Sequence, residues 1–284
     1  MTGARGRPIR IAAAQMRSGV DWMRNLDACA DLVRAAAADG ADLIATPEMT
    51  TLLDRDRRRL LENLPENAAA REREFFGGLA ADLDVWILIG SSPEPLDDGR
   101  LANRGRLYRP NGGVAATYDK IHMFDVALPT GETWTESRAY APGAGASLVH
   151  TPLGRLGLTI CYDVRFPHLY RALAQAGADV IFVPAAFTRP TGEAHWETLL
   201  RARAIECGAF VVAPAQGGTH DDGRDTWGRA MIVGPWGDVR AASSDDAPGI
   251  VAADADLADV DAAREAIPSL GHDRAFELEV FECD

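Results

Sequence analysis

Short apolar runs alternate along this chain with longer stretches in which apolar residues recur at helical spacing. The apolar runs predict buried strands and the amphipathic stretches predict helices, which is the pattern of an α/β protein. The predicted strands cover residues 9–16, 41–49, 85–91, 104–110, 112–120, 153–160, 178–184, 209–215 and 249–256, and residues 231–241 predict two strands joined by a Pro-Trp-Gly turn. The predicted helices cover residues 25–40, with Asn25 as the N-cap, 66–83, 167–177 and 196–208.

The stretch from Leu153 to Tyr170 places a strand, a cysteine and a helix start next to one another. Apolar and polar residues alternate up to Cys161, Pro167 begins a helical pattern, and Gly177 ends it. A thiol at the carboxyl end of a strand lies where open α/β sheets build their sites. Backbone N–H groups and a helix N-terminus favour a thiolate there. A free cysteine alone is weak evidence, because it is also among the most buried residue types.

Two further reactive side chains follow predicted strands. Glu48 ends the strand ADLIATPEM, and Lys120 ends the second strand of a hairpin that turns at residues 111–113. A cysteine nucleophile needs a base, and none of the histidines adjoins Cys161 closely in sequence, so a carboxylate and a lysine are the alternative. The irregular segment 121–143, rich in Pro, Gly, Trp and acidic residues, has the character of a functional loop.

Two segments of the chain resemble each other: residues 40–47 read GADLIATP and residues 177–184 read GADVIFVP. Each couples a helix cap to a buried strand that ends in proline. The similarity predicts two βα halves that face each other in a sandwich, with helices outside. The same likeness would arise from features that helix–strand units of α/β proteins share in general. A true internal repeat and this general similarity therefore both stay open.

Charge and cysteine content narrow the choice of partners. The formal net charge is −13, which argues against nucleic acid or an anionic membrane as a partner. The basic cluster at residues 55–59 is interpreted as a solvated face rather than an anion site. The four cysteines are widely spaced, which suggests neither a metal site nor disulfides. The basic residues before residue 11 precede no signal-like apolar region, and no apolar run could span a bilayer, so we expect a cytoplasmic protein.

Three motifs together resemble one enzyme family. ATPEMT, YDKIHMFD and GLTICYDVRFP carry Glu48, Lys120 and Cys161 in the order of the Glu-Lys-Cys triad of nitrilase-type carbon–nitrogen hydrolases. The resemblance extends from about Ile9 to beyond Asp256. It implies an α/β fold, a four-layer α-β-β-α sandwich, with a hydrolase domain over residues 8–270.

The resemblance also implies a mechanism without metal or cofactor. Glu48 would take the proton of Cys161 as the thiol attacks an amide, and return it to departing ammonia. Lys120 and the backbone N–H of Tyr162 would hold the oxyanion, and water would cleave the thioester. Glu136, within TWTESRAYAPG, matches a second family glutamate that positions Lys120 and the substrate.

The segments VRFPHLYRALAQAGAD, GEAHWETLLRARAIE and WGRAMIVGPWG are most similar to the branch that includes the deaminated glutathione amidases, with the ω-amidases close to it. Both branches cleave an amide of a small carboxylate. Arg165 is therefore a candidate partner for a substrate carboxylate, with a structural salt bridge as the alternative. Further candidates for the pocket lining are Phe187, Thr188, His195 and Trp196, the last two with helix packing as the alternative.

The chain departs from the pattern of that branch at three positions, which bear on the substrate rather than on the chemistry. Ala185 stands where serine is usual, Arg229 where histidine is usual and His168 where glutamate is common. N-carbamoyl amino acid hydrolysis is the alternative enzymatic function. A catalytically silent binding protein on the same fold is the alternative class, and an amidotransferase half that supplies ammonia to a synthetase is disfavoured because no synthetase domain follows.

Residues 271–284 form an apolar tail in which Phe276, Leu278, Val280 and Phe281 alternate with polar residues. Such a tail needs a partner. We expect it to pack across a subunit interface, in a homodimer or a higher homo-oligomer.

Overall fold

Both faces of the first strand are buried, which is why this chain needs four layers. The computed structural model describes residues 8–129 and 131–283; the prediction about the basic N-terminus falls partly on residues 1–7 and to that extent lies outside the described residues. Alternate residues Ile9, Ile11 and Ala13 join one apolar cluster, and Ala12 and Ala14 join a second one. A strand buried on both faces requires a layer on each side.

The described residues contain six α-helices and seventeen strands. The helices are α1 Trp22–Ala38, α2 Arg57–Asn63, α3 Ala68–Leu83, α4 Pro167–Gln175, α5 Arg189–Cys207 and α6 Leu257–Ala266. The strands are β1 Ile9–Met16, β2 Leu43–Ala45, β3 Trp86–Pro95, β4 Leu101–Tyr108, β5 Val114–Asp119, β6 Asp125–Ala127, β7 Thr133–Thr135, β8 Tyr140–Ala141, β9 Ser147–Thr151, β10 Gly154–Leu158, β11 Val180–Phe182, β12 Phe210–Ala213, β13 Ala215–Thr219, β14 Asp225–Trp227, β15 Met231–Val233, β16 Val239–Ala242 and β17 Gly249–Ala255. Short 3₁₀ helices cover Glu136–Arg138, Cys161–Arg165 and Ser269–Gly271.

Two large sheets repeat one arrangement. In the first, β1, β2 and β3 are parallel neighbours and are followed by the antiparallel strands β4 and β5. In the second, β10, β11 and β12 are parallel neighbours and are followed by the antiparallel strands β15 and β16. The two similar segments of the sequence contain β2 and β11, so they occupy equivalent positions in the two sheets.

The core is divided between the layers. The inner faces of both sheets form one cluster, which includes Leu43 and Leu88 from the first sheet and Leu156 and Val180 from the second. Helices α4 and α5 pack on the other side of the second sheet within that same cluster. Helices α1 and α3 pack on the outer face of the first sheet, through residues such as Leu26 and Phe76. The α/β sandwich predicted from the sequence is confirmed.

One local prediction is wrong. Helix α1 begins at Trp22, and its N-cap is Asp21, whose carboxylate accepts a hydrogen bond from the Arg24 N–H at 3.1 Å. Asn25 lies inside the helix, where its side chain binds the backbone of Gly19 and of residue 51. Asn25 was assigned as a cap because asparagine favours caps, but here its amide holds a buried loop instead.

The segment after Gly271 has no helix or strand among the described residues up to 283. Phe276, Leu278, Val280 and Phe281 are 77–87% exposed in the single chain, so the predicted interface remains a prediction. No helix in the described part of the chain is long and apolar enough to cross a membrane.

Candidate active site

Three strand ends bring the predicted triad together. Glu48 lies three residues after β2, Lys120 directly follows β5, and Cys161 lies three residues after β10. The first two belong to one sheet and Cys161 to the other. The Lys120 ammonium donates to Glu48 Oε1 at 2.8 Å, and the Glu48 carboxylate shares a hydrogen bond with the Cys161 thiol. Residues far apart in sequence thus form one contiguous cluster.

Cys161 occupies a sharp turn between its strand and a 3₁₀ helix. Its φ is +50°, in the left-handed region that a non-glycine residue rarely adopts. Its N–H donates to the Pro184 carbonyl at 2.9 Å, which holds the turn in place. Tyr162 is in the first turn of the 3₁₀ helix, where backbone N–H groups lack an acceptor within the helix. Such strain, held by its surroundings, is typical of a functional position.

Glu48 is 5% exposed and each of its oxygens has a protein partner. Oε1 accepts from Lys120 Nζ and from Asn103 Nδ2 at 2.9 Å, and Oε2 accepts from the Ala186 N–H at 2.9 Å. Burial favours the neutral carboxyl, but the charge of Lys120 and these hydrogen bonds outweigh it and lower the pKa of Glu48. Glu48 is therefore a carboxylate in the resting site.

Lys120 lies between two carboxylates and is 2% exposed. Besides Glu48, its Nζ binds Glu136 Oε1 at 3.0 Å and Oε2 at 2.8 Å. Burial disfavours the ammonium, yet the charges of Glu136 and Glu48 raise its pKa well above the usual value. A lysine held this firmly in its charged form can stabilise negative charge but is no base.

Burial raises the pKa of the Cys161 thiol well above its usual value, and the charge of Glu48 raises it further, while Lys120 opposes the shift. The sequence predicted a thiolate stabilised by a helix N-terminus, and that prediction is wrong. Burial is the largest cause of the raised pKa, and the Glu48 charge from the other sheet adds to it. The resting pair is a protonated thiol beside a carboxylate that can accept its proton.

Asn103 is a site residue that the sequence analysis missed. It lies on β4, is fully buried, and its Nδ2 donates to Glu48 Oε1 and also to Glu136 Oε1 at 3.1 Å. Glu136 is anchored from its other oxygen, which accepts the Phe124 N–H at 2.7 Å. In a hairpin strand that is apolar on one face, a polar residue is interpreted from the sequence as facing solvent. Only its burial in the structure identifies Asn103 as a site residue.

A cavity of about 460 Å³ opens onto this cluster. Glu48, Lys120, Glu136, Cys161 and Tyr162 all line it. Of the candidates for substrate contact, Phe187 and Thr188 line it as well. A nucleophile, a buried charge pair and an apolar wall therefore face one space large enough for a small substrate.

The structure places Arg165, His195 and Trp196 outside the lining of this cavity, so their contact with a substrate remains a prediction. Trp196 is buried, with its ring 4.9 Å from that of Phe187. His195 is exposed, and its Nδ1 lies 3.3 Å from Arg165 Nη2. The Arg165 guanidinium lies 5.3 Å from the Phe187 ring centre, next to a residue of the cavity wall.

The three departures from the family branch all lie off the cavity. Ala185 is buried and bridges to Ala215, His168 is exposed on α4, and Arg229 places its guanidinium over the Trp227 ring. Their positions explain why they leave the catalytic cluster intact.

Known proteins match nearly the whole of this fold. The family model "Carbon-nitrogen hydrolase" matches residues 10–265. The deaminated glutathione amidase of Synechocystis sp. is 42% identical over 270 residues, which are 94% of this chain and 98% of that protein. The NitFhit protein of C. elegans has a TM-score of 0.88 and 35% identity, and the match covers 96% of this chain but only 66% of that longer one.

A further solved structure bears on the cysteine. The amidase of Nesterenkonia sp. AN1, as a variant with the acetamide moiety of fluoroacetamide covalently added at its active-site cysteine, has a TM-score of 0.77 and 27% identity, covering 93% of this chain and 97% of that one. The resemblance to the nitrilase superfamily is thereby confirmed: the chain is an enzyme of the carbon–nitrogen hydrolase family.

Proposed function

We propose that this enzyme hydrolyses the amide bond of a small carboxylate-bearing amide, with deaminated glutathione as the best candidate substrate. The observation that carries the proposal is the Glu48–Lys120–Cys161 cluster at the wall of one cavity. The similarity to a protein named deaminated glutathione amidase supports the choice of substrate.

In the proposed first step, Cys161 Sγ attacks the amide carbonyl carbon while Glu48 takes the thiol proton. The raised pKa of the thiol and the lowered pKa of Glu48 fit this arrangement, because the acceptor is ionised before attack. The carbonyl oxygen becomes an oxyanion, which Lys120 Nζ and the Tyr162 N–H stabilise. The ammonium needs no proton transfer to do so, since its raised pKa keeps it charged.

In the second step, the tetrahedral intermediate collapses and its C–N bond breaks. Glu48 returns the proton to the leaving amine, and the acyl group remains on sulfur as a thioester. Glu48 then takes a proton from water as that water attacks the thioester, which releases the acid and regenerates the thiol. Glu136 positions Lys120 throughout, because its carboxylate binds Nζ through both oxygens.

The substrate-binding assignments are also proposals. Phe187 and Thr188 would contact the substrate directly from the cavity wall. We propose Arg165 as the partner of the carboxylate on the acyl half, since its guanidinium lies beside Phe187 and forms no ion pair within the described residues. His195 and Trp196 would act from behind, by holding Arg165 and Phe187 in place.

The identity of the amine released distinguishes the candidate substrates. Deaminated glutathione would release cysteinylglycine, whereas the simple amide of an α-keto acid would release the ammonia expected from the sequence. The test measures both products with deaminated glutathione, 2-oxoglutaramate and an N-carbamoyl amino acid. We expect the highest kcat/KM with deaminated glutathione, and no turnover by Cys161→Ala; Cys207→Ala, which alters a buried cysteine outside the cavity, is the matched control.

Thiol labelling separates an enzyme from a silent binding protein. Cys283 is the one exposed cysteine of the four, so the experiment uses a Cys283→Ser background. Iodoacetamide should then modify Cys161 before Cys29, because Cys161 lines the cavity while Cys29 is buried in the core. Absence of turnover on every amide, together with an unreactive Cys161, would contradict the enzymatic proposal.

We also propose that residues 8–270 form the catalytic domain and that the tail 271–284 packs between subunits of a homodimer. Four large apolar side chains at 77–87% exposure support this, since such a segment is seldom left in water. In light scattering, the full chain should have the mass of a dimer, and the chain truncated after residue 270 should have the mass of a monomer. A cytoplasmic location is proposed from the four free cysteines, which fit a reducing compartment.

A further inference from the structure

Arginine residues gather on the cavity at some remove from the catalytic cluster. Arg55, Arg57, Arg138 and Arg224 line the cavity together. Within the described residues, no carboxylate lies within ion-pair distance of the first three. This is unexpected in a chain with a net charge of −13, where acidic partners are plentiful. We call these four residues the arginine wall.

Residues 55–59 are all exposed, as expected of a solvated face, but two of them also line the cavity. Arg58 pairs with Glu62 on the surface, and Arg59 pairs with Asp54, which neutralises an acidic residue of the cavity lining. Arg55 and Arg57 instead reach the cavity. The arginines at the start of helix α2 therefore lie in two different surroundings: some form ion pairs and others line the cavity.

Asp222 connects two parts of the arginine wall, the segment that carries Arg55 and the loop that carries Arg224. Its Oδ2 accepts the Arg55 N–H at 2.8 Å, and its Oδ1 accepts the Arg224 N–H at 2.8 Å. A Cβ added at Gly223 would lie 3.5 Å from Arg55 Nη2, so the Arg55 guanidinium lies against the loop that carries Arg224. The side chain of Asp222 is fully buried, and the loop containing residues 49–56 is thereby fixed to the β13–β14 loop.

Two buried donors at this wall have no hydrogen-bond acceptor within the described residues. They are Arg224 Nε, 3.5 Å from Asp222 Oδ2 but not hydrogen-bonded to it, and Trp134 Nε1. The Arg224 guanidinium lies 4.6 Å from the Trp134 ring centre, and both residues line the cavity. Buried hydrogen-bond donors normally have an acceptor. Two neighbouring donors without one at the cavity therefore indicate that a ligand supplies the acceptor.

We infer that the arginine wall is an anion subsite that binds the carboxylate on the amine half of the substrate. The inference rests on the proposed function. Glu48, which would protonate the leaving amine, lines the same cavity as the arginine wall, and Asp222 fixes the loop that follows Glu48 to that wall. We therefore place the amine half of the substrate on that side. Arg165 would serve the carboxylate of the acyl half, and the enzyme would therefore select amides with an anionic group at each end.

The test compares two substrates that differ only in charge: deaminated glutathione and its C-terminal carboxamide. A charge-assisted hydrogen bond is worth ~1.5–3 kcal/mol, which corresponds to roughly 10- to 100-fold in kcat/KM. The wild-type enzyme should therefore prefer the free acid by about that factor, chiefly through KM. In Arg224→Gln and Arg55→Gln, kcat/KM for the free acid should fall so that the preference narrows to a few-fold.

Arg58→Gln is the matched control, because it belongs to the same basic cluster and its side chain is 87% exposed. It should keep the full preference. Far-UV circular dichroism and the melting temperature show that each variant is folded. An equal loss on both substrates, or an unchanged preference in both Arg224→Gln and Arg55→Gln, overturns the inference. If the wild type hydrolyses neither substrate, the proposed function fails and the inference fails with it; if it hydrolyses both equally, only the inference fails.

Discussion

The substitution Asn103→Leu tests how the carboxylates of the site are kept ionised. Asn103 is fully buried, and one amide nitrogen donates to Glu48 at 2.9 Å and to Glu136 at 3.1 Å. Leucine has nearly the same shape and donates no hydrogen bond. The variant therefore removes two charge-assisted bonds while it leaves little empty space.

The expected loss of stability follows from those contacts. Each hydrogen bond to a buried charge is worth ~1.5–3 kcal/mol, and the variant loses two of them. Part is recovered, because Asn103 Oδ1 is buried without a partner and leucine removes this ~1–3 kcal/mol penalty. The free energy of unfolding should fall by about 2–3 kcal/mol, which lowers Tm by about 5 °C in a chain of this size.

The pH dependence changes in a defined direction. The hydrogen bond from Asn103 is among the contacts that lower the pKa of Glu48 against the effect of burial. Without it that pKa should rise, because a hydrogen bond to the carboxylate favours the charged form. Glu48 must be ionised to accept the thiol proton, so kcat/KM is lost as the pH falls through this pKa. The acidic limb of the profile should move to higher pH.

Ionised Glu48, whose pKa is lowered in the folded protein, also contributes stability, and this stability depends on pH in the same direction as the activity. It is present above the unfolded pKa of glutamate, about 4.3, and is lost as the pH falls through the lower folded value. The assays are thermal melting and kcat/KM against pH. Asn25→Leu is the control, since Asn25 also makes buried hydrogen bonds but contacts neither carboxylate. The reasoning would be refuted if Asn103→Leu and Asn25→Leu lowered the melting temperature equally and the acidic limb of the Asn103→Leu pH profile did not move.

Two other substitutions probe the frame around the site. Asp163 is fully buried and accepts from the Tyr118 hydroxyl at 2.7 Å and the His122 N–H at 3.1 Å, so Asp163→Asn should cost about 3 kcal/mol by urea unfolding and reduce kcat. A Cβ at Gly90 would lie 2.1 Å from the Thr46 carbonyl oxygen, so Gly90→Ala should cost ~3 kcal/mol or more and slow turnover. Wild-type kcat in either variant would contradict the positioning argument, and a loss below ~1 kcal/mol would contradict the packing argument.

The triad was predictable from the sequence because each of its members adjoins the end of a strand. Cys161, Glu48 and Lys120 carry local signals: a strand before them and, for the cysteine, a helix start after it. Strands of one sheet that run in the same direction end at the same edge, so Glu48 and Lys120 are expected to meet. Cys161 belongs to the other sheet, and the family resemblance rather than the strand pattern joined it to them. The family resemblance added Glu136, whose place in an irregular loop has no periodicity to reveal it.

The rest depends on contacts between segments that are distant in sequence. Asn103, Arg138 and Arg224 show no local pattern, and the basic cluster that contains Arg55 and Arg57 does not reveal its role, because these roles are set by which loops the two sheets bring together. The thiolate expectation was wrong for the same reason: the backbone N–H groups near Cys161 are visible in the sequence, whereas its burial and the charge of Glu48, which raise its pKa, arise only when the two sheets come together. Electrostatics at a buried site is a property of the assembled fold, not of one stretch.

The internal similarity and the site have one structural cause. The two similar segments end at Pro47 and Pro184, after equivalent strands in the two sheets. A Cβ at Gly90 would lie 2.5 Å from the Pro47 carbonyl oxygen and 2.4 Å from Pro184 Cβ, so the two strand ends converge there. Pro47 is followed by Glu48, and the Pro184 carbonyl holds the Cys161 N–H. Because matching halves face each other, equivalent strand ends meet at one edge, and the base and the nucleophile are delivered from opposite sheets.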